Sequence, residues 1–195
     1  MSRVLVVNNY PSKERAGPLE RCLDGNGAAV TAIEWHEASA AKFDAFDGVA
    51  LSGSPEMMTD PNTRVKFQSE VEAILDSHVP ILGVCFGHQL IAHAFGAEVV
   101  RDKRIVLEKV DTKGLKADPL FVGLPTSLML FESRYEVVKS VPDGFDLLAK
   151  SETTPIAAMK HRARALYGVQ FHPERFTPAS PAGDRVVGNF IGLLR

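Results

Sequence analysis

The sequence predicts an α/β fold: a mostly parallel central sheet flanked by helices on both faces, with a small antiparallel edge region. Three observations predict it. The apolar runs of the first half are continuous rather than alternating, as strands covered on both faces require. Amphipathic segments lie between those runs, the strand–helix order of a parallel sheet. Beyond Ala97 the pieces turn shorter and more polar, which suits edge strands or a small antiparallel region.

Each element follows in order. "RVLVVNN", Arg3 to Asn9, reads as a buried first strand that ends at Pro11. A helix over Glu14 to Leu23 carries charges on one side and stops near Gly25 and Gly27. "FDGVALSGS", Phe46 to Ser54, holds a short apolar run that ends in Ser-Gly-Ser-Pro. A helix over Thr63 to Asp76 opens after a proline, with Val65, Phe67, Val71, Ile74 and Leu75 spaced as one face. "VPILGVC", Val79 to Cys85, is a third continuous strand. "GHQLIAHAFG" then places Leu90, Ile91, Ala94 and Phe95 on one helical face and stops at Gly96. After the polar stretch from Ala97 to Val141, the segments "FDLLAK", "PIAAMKH" and "ALYGVQFH" are three further strand candidates, and "GDRVVGNFIGLLR" is a closing amphipathic helix. No repeat, low-complexity segment or linker divides the chain, so residues 1–195 are expected to form a single domain.

Composition narrows the function. The chain has 195 residues, 45% hydrophobic and 24% charged, ordinary globular proportions with ample length for a core. A formal net charge of -2 gives no sign of a nucleic-acid or acidic membrane partner. No apolar stretch is long enough to span a bilayer, and "VLVV" near the N-terminus is too short for a signal peptide. A soluble cytoplasmic protein is the expectation. Two cysteines cannot build a disulfide framework.

One of those cysteines stands in "GVCFGHQL", between Gly83 and Phe86-Gly87. The pattern G-x-C-x-G is the cysteine form of the nucleophile elbow, a tight strand-to-helix turn whose neighbours must be small. The turn sets the thiol at a helix N-terminus, whose partial positive charge favours thiolate. It also aims the Phe86 N–H at the oxyanion of an attacked carbonyl. A free cysteine is often no more than a small buried hydrophobe. Cys22, in a helix and without flanking glycines, fits that description, whereas Cys85 calls for a base.

Of six histidines, His36, His78 and His161 lie near segment ends and read as surface residues. His88 and His93 are five apart and share no helical face, so with Cys85 they make an incomplete zinc set; no metal and no cofactor are expected. His172 ends the run "YGVQFHPE", where Gln170 and His172 alternate with Val169 and Phe171. Glu174 follows two residues later, on the same side if the chain stays extended. A carboxylate there would bind one imidazole nitrogen and leave the other for a thiol. The order cysteine, histidine, glutamate differs from the nucleophile, acid, histidine order of α/β-hydrolases.

These residues resemble the signatures of the class I (triad) glutamine amidotransferases. "GVCFGHQL" and "GVQFHPE" match two of them, and "LSGSPE", Leu51 to Glu56, resembles the family's oxyanion loop at the expected spacing before the cysteine. "VPDGFDLLAKSETTPIAAMKH" resembles the amidotransferase part of GMP synthetase more than that of anthranilate synthase. The resemblance spans most of the chain and implies a flavodoxin-like α/β fold. It implies that Cys85 attacks the side-chain amide of glutamine, with His172 as proton carrier and Glu174 orienting it. It further implies that the Phe86 N–H and the backbone at Gly53 hold the oxyanion, that Ser54 belongs to the same substrate-binding loop, and that Gln89 and the segment at Ser133 hold the α-amino and α-carboxylate groups.

Departures from the family pattern are visible. Ser54 replaces the second glycine of Ser-Gly-Gly-Pro, "FESRYEVV" puts Arg134 and Tyr135 where a Ser-His-x-Asp pattern is usual, and "HPERF" replaces "HPEV". With no synthetase half in the chain, ammonia is expected to pass to a synthetase subunit in trans. A stand-alone hydrolase of γ-glutamyl or other amides, and a non-catalytic regulatory module, are the competing readings. The Phe86 that follows the cysteine counts against the first of these and the complete Cys-His-Glu set against the second.

Overall fold

The computed structural model describes residues 1–12, 16–111, 117–178 and 180–194, with backbone alone over 104–109. In chain order the elements are β1 (Ser2–Asn8), α1 (Gly17–Gly25), β2 (Ala28–Glu34), α2 (Ala40–Phe43), β3 (Gly48–Leu51), α3 (Pro61–Lys66), α4 (Gln68–Asp76), β4 (Ile81–Val84) and α5 (Phe86–Ala94). There follow β5 (Val99–Asp111), β6 (Ser127–Val138), β7 (Phe145–Ser151), β8 (Ala158–His161), β9 (Leu166–Val169) and α6 (Ala182–Gly192). The strands form one sheet in the order β2-β1-β3-β4-β9-β8-β7-β5-β6. From β2 to β9 every neighbouring pair is parallel. From β9 to β6 every pair is antiparallel. The order 2-1-3-4 at the parallel end is that of flavodoxin-like sheets.

The continuous apolar runs follow from burial on both faces. Along β1, Val4 and Val6 join one core with Leu19 and Leu23 of α1 and Val186, Val187 and Phe190 of α6. Leu5 and Val7 join the opposite core with Phe67, Val71 and Ile74 and with Leu90 and Ile91 of α5. Alternate residues of one strand thus serve two cores, so neither position tolerates a polar side chain.

Two expectations are corrected and one strand is added. The helix read over Thr63 to Asp76 is two helices, broken at Phe67 (φ -98, ψ 14). Phe67 turns inward between Trp35 and Phe86, at 5.0 and 4.8 Å between ring centroids, while Val65 and Leu75 face out, 77% and 42% exposed. Strand β2 escapes a search for continuous apolar runs because, at the sheet edge, only Ala28 of its residues is fully buried. The polar stretch after Ala97 is not a set of short pieces: β5 and β6 are 13 and 12 residues long and pair over most of their length. The start at Glu14 read for the first helix lies outside the described residues.

The parallel strands bring distant segments to one place. The carboxyl ends of β1, β3, β4 and β9 lead into Asn9–Tyr10, Ser52–Ser54, Cys85 and Gln170–His172 respectively. In an open α/β sheet that rim is where ligand sites form. Strand β6 reaches the same rim with Ser133 to Glu136.

Candidate active site

Cys85 sits in the turn between β4 and α5 with φ 53 and ψ -102, and no other described non-glycine residue has a positive φ. That conformation is strained for a residue with a Cβ and costs about 1–3 kcal/mol. The surroundings enforce it: the Cys85 N–H donates to the Val169 carbonyl at 2.8 Å. The two glycines serve by being small. A Cβ on Gly83 would lie 2.5 Å from the Gly87 oxygen, and one on Gly87 would lie 2.7 Å from the Leu51 oxygen. Helix α5 therefore starts hard against β3 and β4. Phe86 is its first residue, so its backbone N–H has no partner inside the helix. The Phe86 ring points into the core.

His172 and Glu174 meet in a way the alternation pattern did not foresee. Strand β9 ends at Val169, and Pro173–Arg175 form a 3-10 turn. Gln170, Phe171 and His172 are all buried, so no side of the segment is a solvent face. The turn still brings the carboxylate to the ring, with His172 Nδ1 and Glu174 Oε1 2.7 Å apart. The other ring nitrogen, Nε2, stands 3.3 Å from the Ser133 carbonyl oxygen, and Cys85 Sγ stands 3.5 Å from that same oxygen. Thiol and imidazole thus converge on one point from the ends of two neighbouring strands, β4 and β9. Burial disfavours a charged imidazole, but the charges of Glu174 and Cys85 and hydrogen bonds to both outweigh it and push the His172 pKa up to about 10. Burial likewise opposes the Glu174 carboxylate, yet His172 holds its pKa below the usual range.

Cys85, His172, Gln89 and Ser133 line a cleft of about 150 Å³, closed by Tyr10, Ser54, Glu56, Arg134, Tyr135, Glu136 and Arg175. A larger hollow of about 1130 Å³ between α6 and residues 119–125 has no cysteine, serine or histidine in its lining. Gly53 borders the cleft residues closely: a Cβ there would lie 2.6 Å from the Tyr10 hydroxyl and 3.2 Å from His172 Cε1. Its role is to leave room, because its φ is not in the left-handed region. Ser54 needs no glycine either, and its hydroxyl accepts the Glu56 N–H at 3.2 Å.

Gln89 Nε2 already donates to the Glu136 carbonyl at 2.8 Å and to Gln170 Oε1 at 3.1 Å. Both amide hydrogens are thereby committed, so Gln89 has only its oxygen to offer a ligand. Ser133 presents its carbonyl to the thiol and imidazole. Arg134 is buried and pairs with Glu132, with Asp102 at 3.0 Å and with the Thr153 carbonyl at 3.1 Å. It ties β6 to the loop after β7, whereas Tyr135 is 46% exposed at the rim. Among the other histidines, His88 is buried and its pKa falls to about 3 through desolvation. His161 is half-buried against Phe95 and Phe145 rather than a free surface residue. Among the described residues no group of three or more histidine, cysteine or acidic side chains is placed to hold a metal.

Sequence reasoning missed Tyr10, Glu136 and Arg175. For Tyr10 a signal existed, since it follows the carboxyl end of a buried parallel strand. Burial, then the negative charges of Cys85 and Glu174, push its pKa up to about 12. Glu136 accepts the Met58 and Thr59 N–H groups at 2.6 and 3.0 Å, fixing the loop before α3. Nothing local in "SRYEVV" announces that contact.

A nucleophile elbow, a histidine–glutamate pair converging on it and a flavodoxin-like sheet define a class, and the family profile for class-I glutamine amidotransferases matches residues 5–192. The chain belongs to that family. Within it, the chain is 31% identical over 193 residues, 99% of both chains, to a glutamine-hydrolysing GMP synthase subunit of Archaeoglobus fulgidus. It is 40% identical to the Pyrococcus abyssi protein of the same name, over 75% of this chain and 74% of that one. A crystal structure from Thermoplasma acidophilum, provisionally named as a GMP synthase subunit, superposes with a TM-score of 0.84 at 29% identity, covering 100% of this chain and 94% of that one.

Proposed function

We propose that this protein hydrolyses glutamine to glutamate and ammonia and passes the ammonia to a separate synthetase subunit for GMP synthesis. The convergence of Cys85 Sγ and His172 Nε2 on one carbonyl oxygen, with Glu174 on the far ring nitrogen, carries this reading. The thiolate of Cys85 attacks the side-chain amide carbon of glutamine. The resulting oxyanion is held by the Phe86 N–H and the backbone at Gly53 and Ser54. His172 Nε2 gives its proton to the departing ammonia, leaving a glutamyl thioester on Cys85. His172 then takes a proton from water, which cleaves the thioester and releases glutamate. Glu174 keeps the ring oriented and offsets its positive charge. The Gln89 oxygen is an acceptor for the α-ammonium group of glutamine. Similarity to glutamine-hydrolysing GMP synthase subunits supports the pathway and the partner. Both cysteines are unpaired, which suits the reducing cytoplasm we assign to the protein.

The test is glutamate release by the wild type and by Cys85→Ala, each with and without a GMP synthetase subunit from the source cell. We expect turnover that requires Cys85, and a glutamine-like diazo-ketone that labels Cys85 by mass spectrometry. Cleavage of γ-glutamyl peptides without any glutamine turnover, even with the partner, overturns the reading. So does a label on Cys22.

A further inference from the structure

Behind the Gly53 turn lies a chain of buried polar groups that the mechanism above does not use. Ser52 is held at four points. Its N–H donates to the Val7 carbonyl at 3.1 Å, and its carbonyl accepts Asn9 Nδ2 at 3.2 Å. Its hydroxyl accepts the Asn9 N–H at 2.9 Å and donates to the Gly53 carbonyl at 3.0 Å. The second hydrogen of Asn9 Nδ2 goes to Glu70 Oε1 at 3.2 Å. Asn9, Ser52 and Glu70 are 1%, 1% and 0% exposed. The Ser52 carbonyl can only accept, so the amide nitrogen of Asn9, not its oxygen, must face it.

A trans peptide is planar, with its N–H opposite its C=O. Holding the Ser52 carbonyl therefore aims the Gly53 N–H, and holding the Gly53 carbonyl aims the Ser54 N–H. These are the backbone donors assigned to the oxyanion. We infer that Glu70, acting through Asn9 and Ser52, is a positioning residue that aims the backbone N–H groups of the Gly53 turn at the reacting carbonyl. Glu70 stands on α4 and touches neither substrate nor thiol. Its part is to hold the Asn9 amide in the one rotamer that reaches Ser52. Burial pushes its pKa up to about 8, so at neutral pH it is mostly a neutral acid and a glutamine is its close mimic.

This inference rests on the glutaminase reading. Glutamine hydrolysis is measured for the wild type, Glu70→Ala, Glu70→Gln and Ser52→Ala, with the synthetase subunit present and Cys85→Ala as blank. The rate of Cys85 alkylation by iodoacetamide is measured alongside, because that reaction needs the thiol but no oxyanion donor. Removing an oxyanion donor costs about a hundredfold or more, and misaiming one should cost about tenfold in kcat. We expect that loss in Glu70→Ala and Ser52→Ala, with KM and the alkylation rate within about twofold of wild type. Glu70→Gln should recover kcat to within about threefold. Unchanged kcat in folded Glu70→Ala or in Ser52→Ala overturns the inference, as does a parallel fall of kcat and alkylation, which marks a merely structural role. Should Glu70→Ala fail to fold, Asn9→Ala takes its place, because it cuts the link between Glu70 and the Ser52 carbonyl and should show the same loss. A wild type without Cys85-dependent turnover brings down the glutaminase reading itself, and this inference with it.

Discussion

Two cysteines in this chain are equally hidden, 6% exposed at Cys22 and 5% at Cys85, yet their surroundings oppose each other. Cys22 lies inside α1 with ordinary helical backbone, its sulfur 3.7 Å from Asp184 Oδ1. Burial, then the negative charge of Asp184, push its pKa up to about 12. Cys85 lies at a strained turn beside His172, an imidazole whose own pKa is pushed up to about 10. Burial therefore says nothing about reactivity here. The sign of the neighbouring charge and the backbone conformation are what set Cys22 apart from Cys85, the nucleophile we propose.

The sharpest way to break this comparison is by activity. Cys85→Ala should lower glutamine turnover by about 10⁴-fold or more. Cys22→Ala should leave it within about twofold, both measured as glutamate release. Next comes the tight packing that only one of the two cysteines has. Gly87→Ala puts a Cβ 2.7 Å from the Leu51 oxygen, and denaturant unfolding should show a loss of about 3 kcal/mol or more. No such contact surrounds Gly25, where a Cβ would meet nothing within 4 Å, so Gly25→Ala should be nearly neutral or better.

The charged partner of Cys85 sharpens the contrast through pH. His172 keeps in the folded state a proton that the unfolded chain releases near 6.5. Its contribution to stability is complete below that pH and falls as pH rises toward about 10. The free energy of unfolding in denaturant should therefore decline steadily over that window. In Glu174→Gln the decline should be shallower, because the carboxylate is one of the groups that hold the proton. The smallest effect is the most diagnostic of strain. Cys85→Gly relieves φ 53 and should be about 1 kcal/mol more stable than Cys85→Ala, with neither variant active.

Much of the fold was legible because its signals are local. Strands β1, β3 and β4 announce themselves as continuous apolar runs, since alternate residues such as Val6 and Val7 enter opposite cores. The edge strand β2 has little to bury and no such run. The break at Phe67 was not legible, because its cause is packing against Trp35 and Phe86, remote in sequence. The pairing of His172 with Glu174 was expected for an extended chain and is made instead by a 3-10 turn. Two residues of separation reach the same contact by either backbone, so the proximity survives a wrong geometry.

By itself, the sequence determined the turn at Cys85 and the buried parallel strands β1, β3 and β4. The glycines, the cysteine and the helix that follows are neighbours in the chain, and their sterics act over a few residues. Only the tertiary structure decided which of the 24 acidic side chains matter beyond Glu174. Glu70 on its helix looks like any solvated acid until Asn9, 61 residues away, meets it in the interior. Glu136 and Arg134 are likewise defined by partners on other elements. A polar side chain takes its role from the groups that desolvate and bind it, and those groups are brought together by folding rather than by order in the chain.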